Sequence, residues 1–139
     1  MRALIISNGI VSNAVEADEA WVAANGAIFS DIGNIGDLYD GANFIKPPPP
    51  TPTQAQLVDA VQGRLDKAAK TRHYDSALSC ASYAASANAT FAAEAAAMIA
   101  WRDSVWAYCY TQLAAVQSSA RPAPATVAAF LAELPPLIW

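Results

Sequence analysis

The chain has 139 residues, enough for one ordinary domain or two very small ones. Only 14% are charged and 55% are apolar, which excludes wholesale disorder. The net charge of −4 belongs to the stretch before a proline run, where Arg2 and Lys46 face Glu16, Asp18, Glu19, Asp31, Asp37 and Asp40. An acidic front and a neutral back argue against binding to a phosphate backbone, so nucleic acid is excluded as a partner.

No uncharged apolar run reaches the roughly 18 to 20 residues of a membrane span. The best candidate, Ala84 to Trp101, is dominated by alanine and contains Glu94. At the front, Ala3 to Ile6 is too short for the apolar part of a signal peptide, and Asn8-Gly9 interrupts it. The expectation is a soluble chain made in the cytoplasm, without membrane contact.

In chain order, ALIISNGIVSNAVEAD places Asn-Gly between two apolar runs, a strong hairpin signal because both central residues of a type I′ turn need positive φ. Strands are predicted at Arg2–Ser7 and Ile10–Ala17. Asp18 is placed to cap a short helix over Glu19–Ala24, closed by Asn25-Gly26. A short strand is predicted over Ala27–Asp31, and Asp40-Gly41 offers a second tight turn. The result is an antiparallel β unit over 1–46. That size is marginal without staples, and this stretch has no cysteine. It is expected to lean on another chain or to pair a sheet edge with one.

KPPPPTPT follows. Its prolines lack backbone N–H groups and are locked near the polyproline II value of φ, so 47–53 reads as a stiff linker. Thr53-Gln-Ala-Gln56 then forms a capping box, and Leu57, Val61, Leu65 and Ala68/Ala69 recur at helical steps. A short helix is predicted over Asp75–Ala84 and a turn through Ser86–Ala89. A long helix over Phe91–Gln117 is capped by Thr90 or Asn88. Pro122 and Pro124 break the chain, and Thr126–Leu134 forms a last short helix. The fold class is α+β: the β unit, the linker, and a helical module of two to four helices over 54–119, with a short helix and tail over 120–139.

Apolar residues cover roughly 200° of the long helix, against a little over 100° for an ordinary surface helix. It must be covered on more than one side, partly by another protein chain. Glu94 and Arg102 fall inside that stripe and need partners; at about 12 Å of rise apart, they are too distant to serve each other. Arg72, Asp75 or a second protein are the candidates.

Catalytic readings are weak. The one histidine, His73, can be drawn with Asp75, Ser76 and Cys80, but no nucleophile elbow, phosphate loop or histidine metal pair accompanies it. Glu94 and Asp103 lie on different helix faces. The acids Asp31, Asp37 and Asp40 lack the alternating oxygen ligands of a calcium loop and read as turn residues. Cys80 and Cys109 read as small buried apolar residues. No enzyme activity, metal or cofactor is expected.

RHYDSALSCASYA, FAAEAAAMIAWRDSVWAYCY and PATVAAFLAELP resemble a small C-terminal module of tailed-phage proteins encoded near tail-fibre genes. GIVSNAVEAD and IGDLYDGANFIKPPPP resemble the N-terminal region of tail-fibre assembly proteins and related tail accessory proteins. His73 stands where that pattern has glycine. The resemblance implies a non-enzymatic chaperone that binds a trimeric tail-fibre protein, shields its apolar surface and aids trimer folding in the host cytoplasm, with retention on the virion tail left open. A permanent structural subunit of the tail or baseplate is the alternative, and self-association is also open. The residues expected to face a partner are Trp101, Arg102, Trp106 and Tyr110 on the long helix and Ile5, Tyr39 and Phe44 in the front unit.

Overall fold

A computed structural model describes all of residues 1–139. The chain divides into two compact units, Met1–Pro49 and Pro50–Trp139, in an α+β fold. No helix is long and apolar enough to cross a membrane.

The first unit is built on a hairpin of β1 (Arg2–Ser7) and β2 (Ile10–Glu16). Asn8 at φ 52° and Gly9 at φ 73° supply the two left-handed residues its turn requires. The register slips between Ile5 and Ile6, leaving Ser12 as the extra residue of a bulge, with its hydroxyl donating to the Ile5 carbonyl at 3.0 Å. Helix α1 (Glu19–Asn25) starts on the Asp18 carboxylate, which accepts from the Trp21 N–H, and ends at left-handed Gly26. Three two-residue strands complete the sheet: β3 (Ile28–Phe29), β4 (Leu38–Tyr39) and β5 (Phe44–Ile45). The order is β3-β1-β2-β4-β5, antiparallel throughout.

The strand predicted over Ala27–Asp31 shrinks to Ile28–Phe29 because the chain then turns under the Arg2 guanidinium. That group donates to the carbonyls of Ser30 at 3.0 Å and Gly33 at 2.6 Å. Ala3, Leu4 and Val11 are the fully buried apolar residues of this unit. The Asp37 carboxylate accepts from the Asn34 N–H, and Asp40 accepts from Ala42 and Asn43. These are turn roles, and the amide bonds from Asn43 and Ala42 hold the Asp40 carboxyl below its ordinary pKa.

The second unit has four helices: α2 (Gln54–Lys70), α3 (Ala77–Ala81), α4 (Ala89–Gln117) and α5 (Val127–Ala132). The capping box opens α2: the Thr53 hydroxyl accepts from Gln56 N–H at 3.2 Å, and the Gln56 side chain accepts from Thr53 N–H at 2.9 Å. The helix predicted over Asp75–Ala84 is shorter, because the Ser76 hydroxyl caps it by accepting from Ser79 N–H. It ends in a 3-10 turn, Ser82–Ala85. Helix α4 starts two residues earlier than predicted, on Asn88, whose side chain accepts from the Thr90 and Phe91 amides. Thr126 caps α5, which stops at Ala132.

The core joins Val61, Leu65 and Ala69 of α2, Ala77 and Cys80 of α3, Met98, Trp101 and Val105 of α4, and Phe130 of α5. Asp66 ties α2 to α3 by accepting from the Ala77 N–H at 2.9 Å. Trp101 donates through Nε1 to the Pro135 carbonyl at 2.7 Å, fixing the C-terminal tail.

Helix α2 ends in a Schellman pattern: Tyr74 N–H donates to the Ala69 carbonyl and His73 N–H to Lys70, with His73 at φ 69°. A left-handed L-residue costs about 1–2 kcal/mol, part of which glycine's greater freedom in the unfolded chain would offset. His73→Gly should therefore raise stability by about 0.5 kcal/mol. A lowered urea midpoint would contradict this reading of the turn.

Candidate protein-interaction surfaces

Paired residues in a sheet share a face, so the register sorts the first unit into two sides. Ile6 pairs with Val11 and Tyr39 with Phe44, while Ser7 pairs with Ile10, Ile10 with Leu38, and Leu38 with Ile45. Val11 is fully buried, and the Tyr39 and Phe44 rings stack with centroids 4.9 Å apart. Tyr39 and Phe44 thus belong to the packed side.

The opposite side carries a row of three directly neighbouring apolar residues, Ile10, Leu38 and Ile45, exposed by 41%, 39% and 49%. Ile5, half-buried, lies on this face by strand alternation from Ser7. Beside the row, β4 pairs with β2 only at Ile10, and Val11 bonds to the Gly36–Asp37 turn. From Asn13 to Glu16 the outer edge of β2 has no strand beside it. There the Asn13 side chain accepts from the Ala14 N–H at 2.9 Å, a local cap of the kind that blunts open edges.

In the second unit the wide apolar face of α4 is covered only in part. Ala95, Met98, Trp101 and Val105 are buried, whereas Tyr110 is 71% exposed. Between α2 and the C-terminal half of α4 lies an apolar groove of about 780 Å³, walled by Leu57, Val58, Trp106, Tyr110, Leu113 and Pro124 among others. An ionic cluster stands at the α4–α5 turn. Arg121 donates to both Glu133 oxygens at 2.9 and 3.0 Å and to the Gln112 side chain at 2.6 Å, and Tyr108 donates to Glu133 at 2.9 Å.

The Arg121 hydrogen bonds, then that of Tyr108, hold the Glu133 carboxyl below the usual glutamate range. A lowered folded-state pKa contributes stability above the unfolded pKa and loses it as pH falls through the folded value. The pair is partly exposed, so the effect is modest. A Glu133→Gln variant should differ in urea midpoint most at neutral pH and converge on the native chain below the glutamate range. A difference that does not change with pH would contradict the role of this pair.

Of the residues expected at a partner surface, Trp106 and Tyr110 line the groove together and Ile5 lies on the exposed sheet face. Trp101 is 6% exposed and sits in the core. Arg102 is half-buried on α4 and does not line the groove. Glu94 has its partner in Arg72 at 3.7 Å, and the Arg72 guanidinium also lies 5.0 Å from the Trp139 ring centre. The Tyr74 hydroxyl is buried without a hydrogen-bond partner. Burial, and then the Glu94 charge, push its pKa up, and burial does the same to both free thiols, Cys80 and Cys109. All three groups are protonated at neutral pH and are poor nucleophiles.

Sequence reasoning missed Ile10, Leu38 and Ile45. Only Ile10 had a local signal: a two-residue Asn-Gly turn fixes Ser7 opposite Ile10, and hence the face on which Ile10 lies. Leu113 and Val116 fall in the apolar stripe of the long helix but were not singled out as partner-facing, and neither was Val58; all three line the groove. No protein family, curated protein or solved structure matches this chain.

Proposed function

We propose that this chain is an assembly chaperone for a tailed-phage tail-fibre protein, acting through its β unit. The observation that carries the reading is the exposed row Ile10–Leu38–Ile45 beside the unpaired edge of β2. An unpaired edge is a template for an incoming strand, and the adjacent apolar row would cover the side chains that strand presents. A fibre protomer exposes such strands until its trimer closes. The Asn13 cap keeps the edge quiet in the free chain and costs one exposed hydrogen bond to displace.

The net charge of −4 in this unit opposes sheet-to-sheet association of the chaperone itself. The sequence resemblance supplies the partner class, and the surface supplies the mode of grip. The reaction consists of binding and release, with no bond broken.

The test is co-expression of the neighbouring fibre protein with a Leu38→Lys variant. Leu38 is exposed, so the variant should fold, while a lysine in the middle of the row should cut fibre binding about tenfold or more. Undiminished fibre recovery with a folded Leu38→Lys chain would remove this face as the site.

A further inference from the structure

We propose that the open edge of β2 takes an antiparallel strand of the pattern basic–any–apolar, read from its N-terminus, with the basic residue opposite Glu16. The partner's identity rests on the chaperone reading; its strand chemistry is set by the sheet.

The backbone fixes which groups are free. Val11 turns both its polar groups outward, donating to the Asp37 carbonyl and accepting from the Gly36 N–H, each at 2.9 Å. Past the bulge, Ala17 turns inward, exchanging bonds with Met1 at 2.9 and 3.0 Å. Bonding direction alternates along an antiparallel pair, so Val15 faces β1 while Glu16 and Ala14 face outward. The Asn13 side chain agrees with this, because it accepts from the Ala14 N–H, which has no strand partner. An added strand therefore meets the Ala14 carbonyl and both polar groups of Glu16. It gains the Ala14 N–H once Asn13 swings away. In antiparallel pairing, Ala14 and Glu16 each exchange two bonds with a single residue opposite. The strand β4 already lies antiparallel to β2 on this edge, and the newcomer continues its line.

The side chains fix what that strand carries. Residues paired across a sheet share a face, so the residue opposite Glu16 lies beside its carboxylate. Glu16 is exposed, as are Asp18 and Glu19 just beyond it. Two cations lie nearby, and neither is committed to that charge. Arg2 is the register partner of Glu16, but its guanidinium donates to the Ser30 and Gly33 carbonyls. The Met1 amino group sits 3.3 Å from Glu16 with the two side chains 68% and 80% exposed, so water screens the pair. A lysine or arginine on the incoming strand meets an acidic end. An acid there would face like charge, which rejects the wrong strand.

Two residues further along, the next side chain on that face lies opposite Ala14. Ala14 is half-buried, and exposed Ile35 precedes Gly36, which bonds Val11 at this end of the edge. Both neighbours are apolar, so this position takes an apolar side chain.

The experiment is titration of the isotope-labelled full chain with blocked heptapeptides TTKTVTT and TTETVTT at millimolar concentration, read by amide NMR. TTKTVTT should shift the Ala14 and Glu16 amide signals and bind about three- to fivefold tighter than TTETVTT. In a Glu16→Gln chain that preference should vanish. Equal binding of the two peptides, a preference that survives Glu16→Gln, or no shift at Ala14 and Glu16 with either would overturn the proposal. The reversed peptide TTVTKTT tests direction, and binding as tight as that of TTKTVTT would overturn the antiparallel register. No peptide is a fibre sequence, so a failed titration strikes the strand chemistry alone. Intact peptide binding with no capture of the fibre would strike the chaperone reading instead.

Discussion

Gly33→Ala should unfold the β unit. Gly33 sits at φ 94°, where an L-residue is strained, and its new methyl would lie 2.7 Å from Phe44 Cγ and Cδ1 and 3.0 Å from Leu4 Cδ1. Neither neighbour can give way easily. Leu4 is fully buried, and the Phe44 ring is held by its stack on Tyr39. Backbone strain of about 1–2 kcal/mol and overpacking of about 1–3 kcal/mol combine at one position. A unit of 49 residues holds only a few kcal/mol in total, at roughly 0.05–0.15 kcal/mol per residue. Gly36→Ala provides the control, since Gly36 has φ 96° but nothing within 4 Å of the added atom. Amide NMR signals of residues 2–45 should collapse in the Gly33 variant and survive in the Gly36 variant. Equal behaviour of the two would mean that the contact with Phe44 and Leu4 does not limit the fold.

Trp101→Ala should cost the helical unit about 3–5 kcal/mol, the range for deleting a buried aromatic side chain. Trp101 packs within the cluster of Leu65, Cys80, Met98 and Phe130, and its indole holds the Pro135 carbonyl at 2.7 Å. Truncation removes the packing and releases the tail together. Trp101→Phe should keep most of the packing and lose the bond, for about 1–2 kcal/mol. The readout is the urea midpoint of the helical circular-dichroism signal. A loss below 1 kcal/mol for the alanine variant would return Trp101 to the surface where sequence reasoning placed it.

That misplacement has a physical cause. On α4 the apolar side chains run around so much of the circumference that periodicity alone does not say which part is core. Trp101 and Tyr110 look equivalent in sequence, yet α2, α3 and α5 cover the first and leave the second open. Features set by nearest neighbours were legible: the Asn8-Gly9 turn, the Asp18 and Thr53 caps, the Gly26 stop and the start of α2 all follow from local chemistry. For Glu94, Arg72 was one of three candidate partners and is the one found at 3.7 Å, whereas Arg102, read by the same rule, makes no ion pair within the chain. Features set by distant contacts were not legible. The two-residue strands β3, β4 and β5 carry too little pattern to be bounded, and the shortening of β3 depends on Arg2, 28 residues from Ser30. Of the exposed apolar surfaces, the stretch of α4 carrying Trp106 and Tyr110 was visible from helical periodicity, whereas the row Ile10–Leu38–Ile45 needed the register across the sheet.

The left-handed turn at His73 was not legible in the sequence, since histidine carries no strong local signal for a positive φ. Its observed φ of 69° is one that glycine adopts readily and L-residues seldom do.

The proposed chaperone role is tested most directly by co-expressing the native chain with a tail-fibre protein of the same genome, followed by size-exclusion chromatography with light scattering. If the proposed chaperone role holds, the fibre should be soluble and trimeric only when this chain is present, with a complex of the two recovered before the trimer matures. A fibre that trimerises and stays soluble alone, with this chain eluting separately, would contradict it.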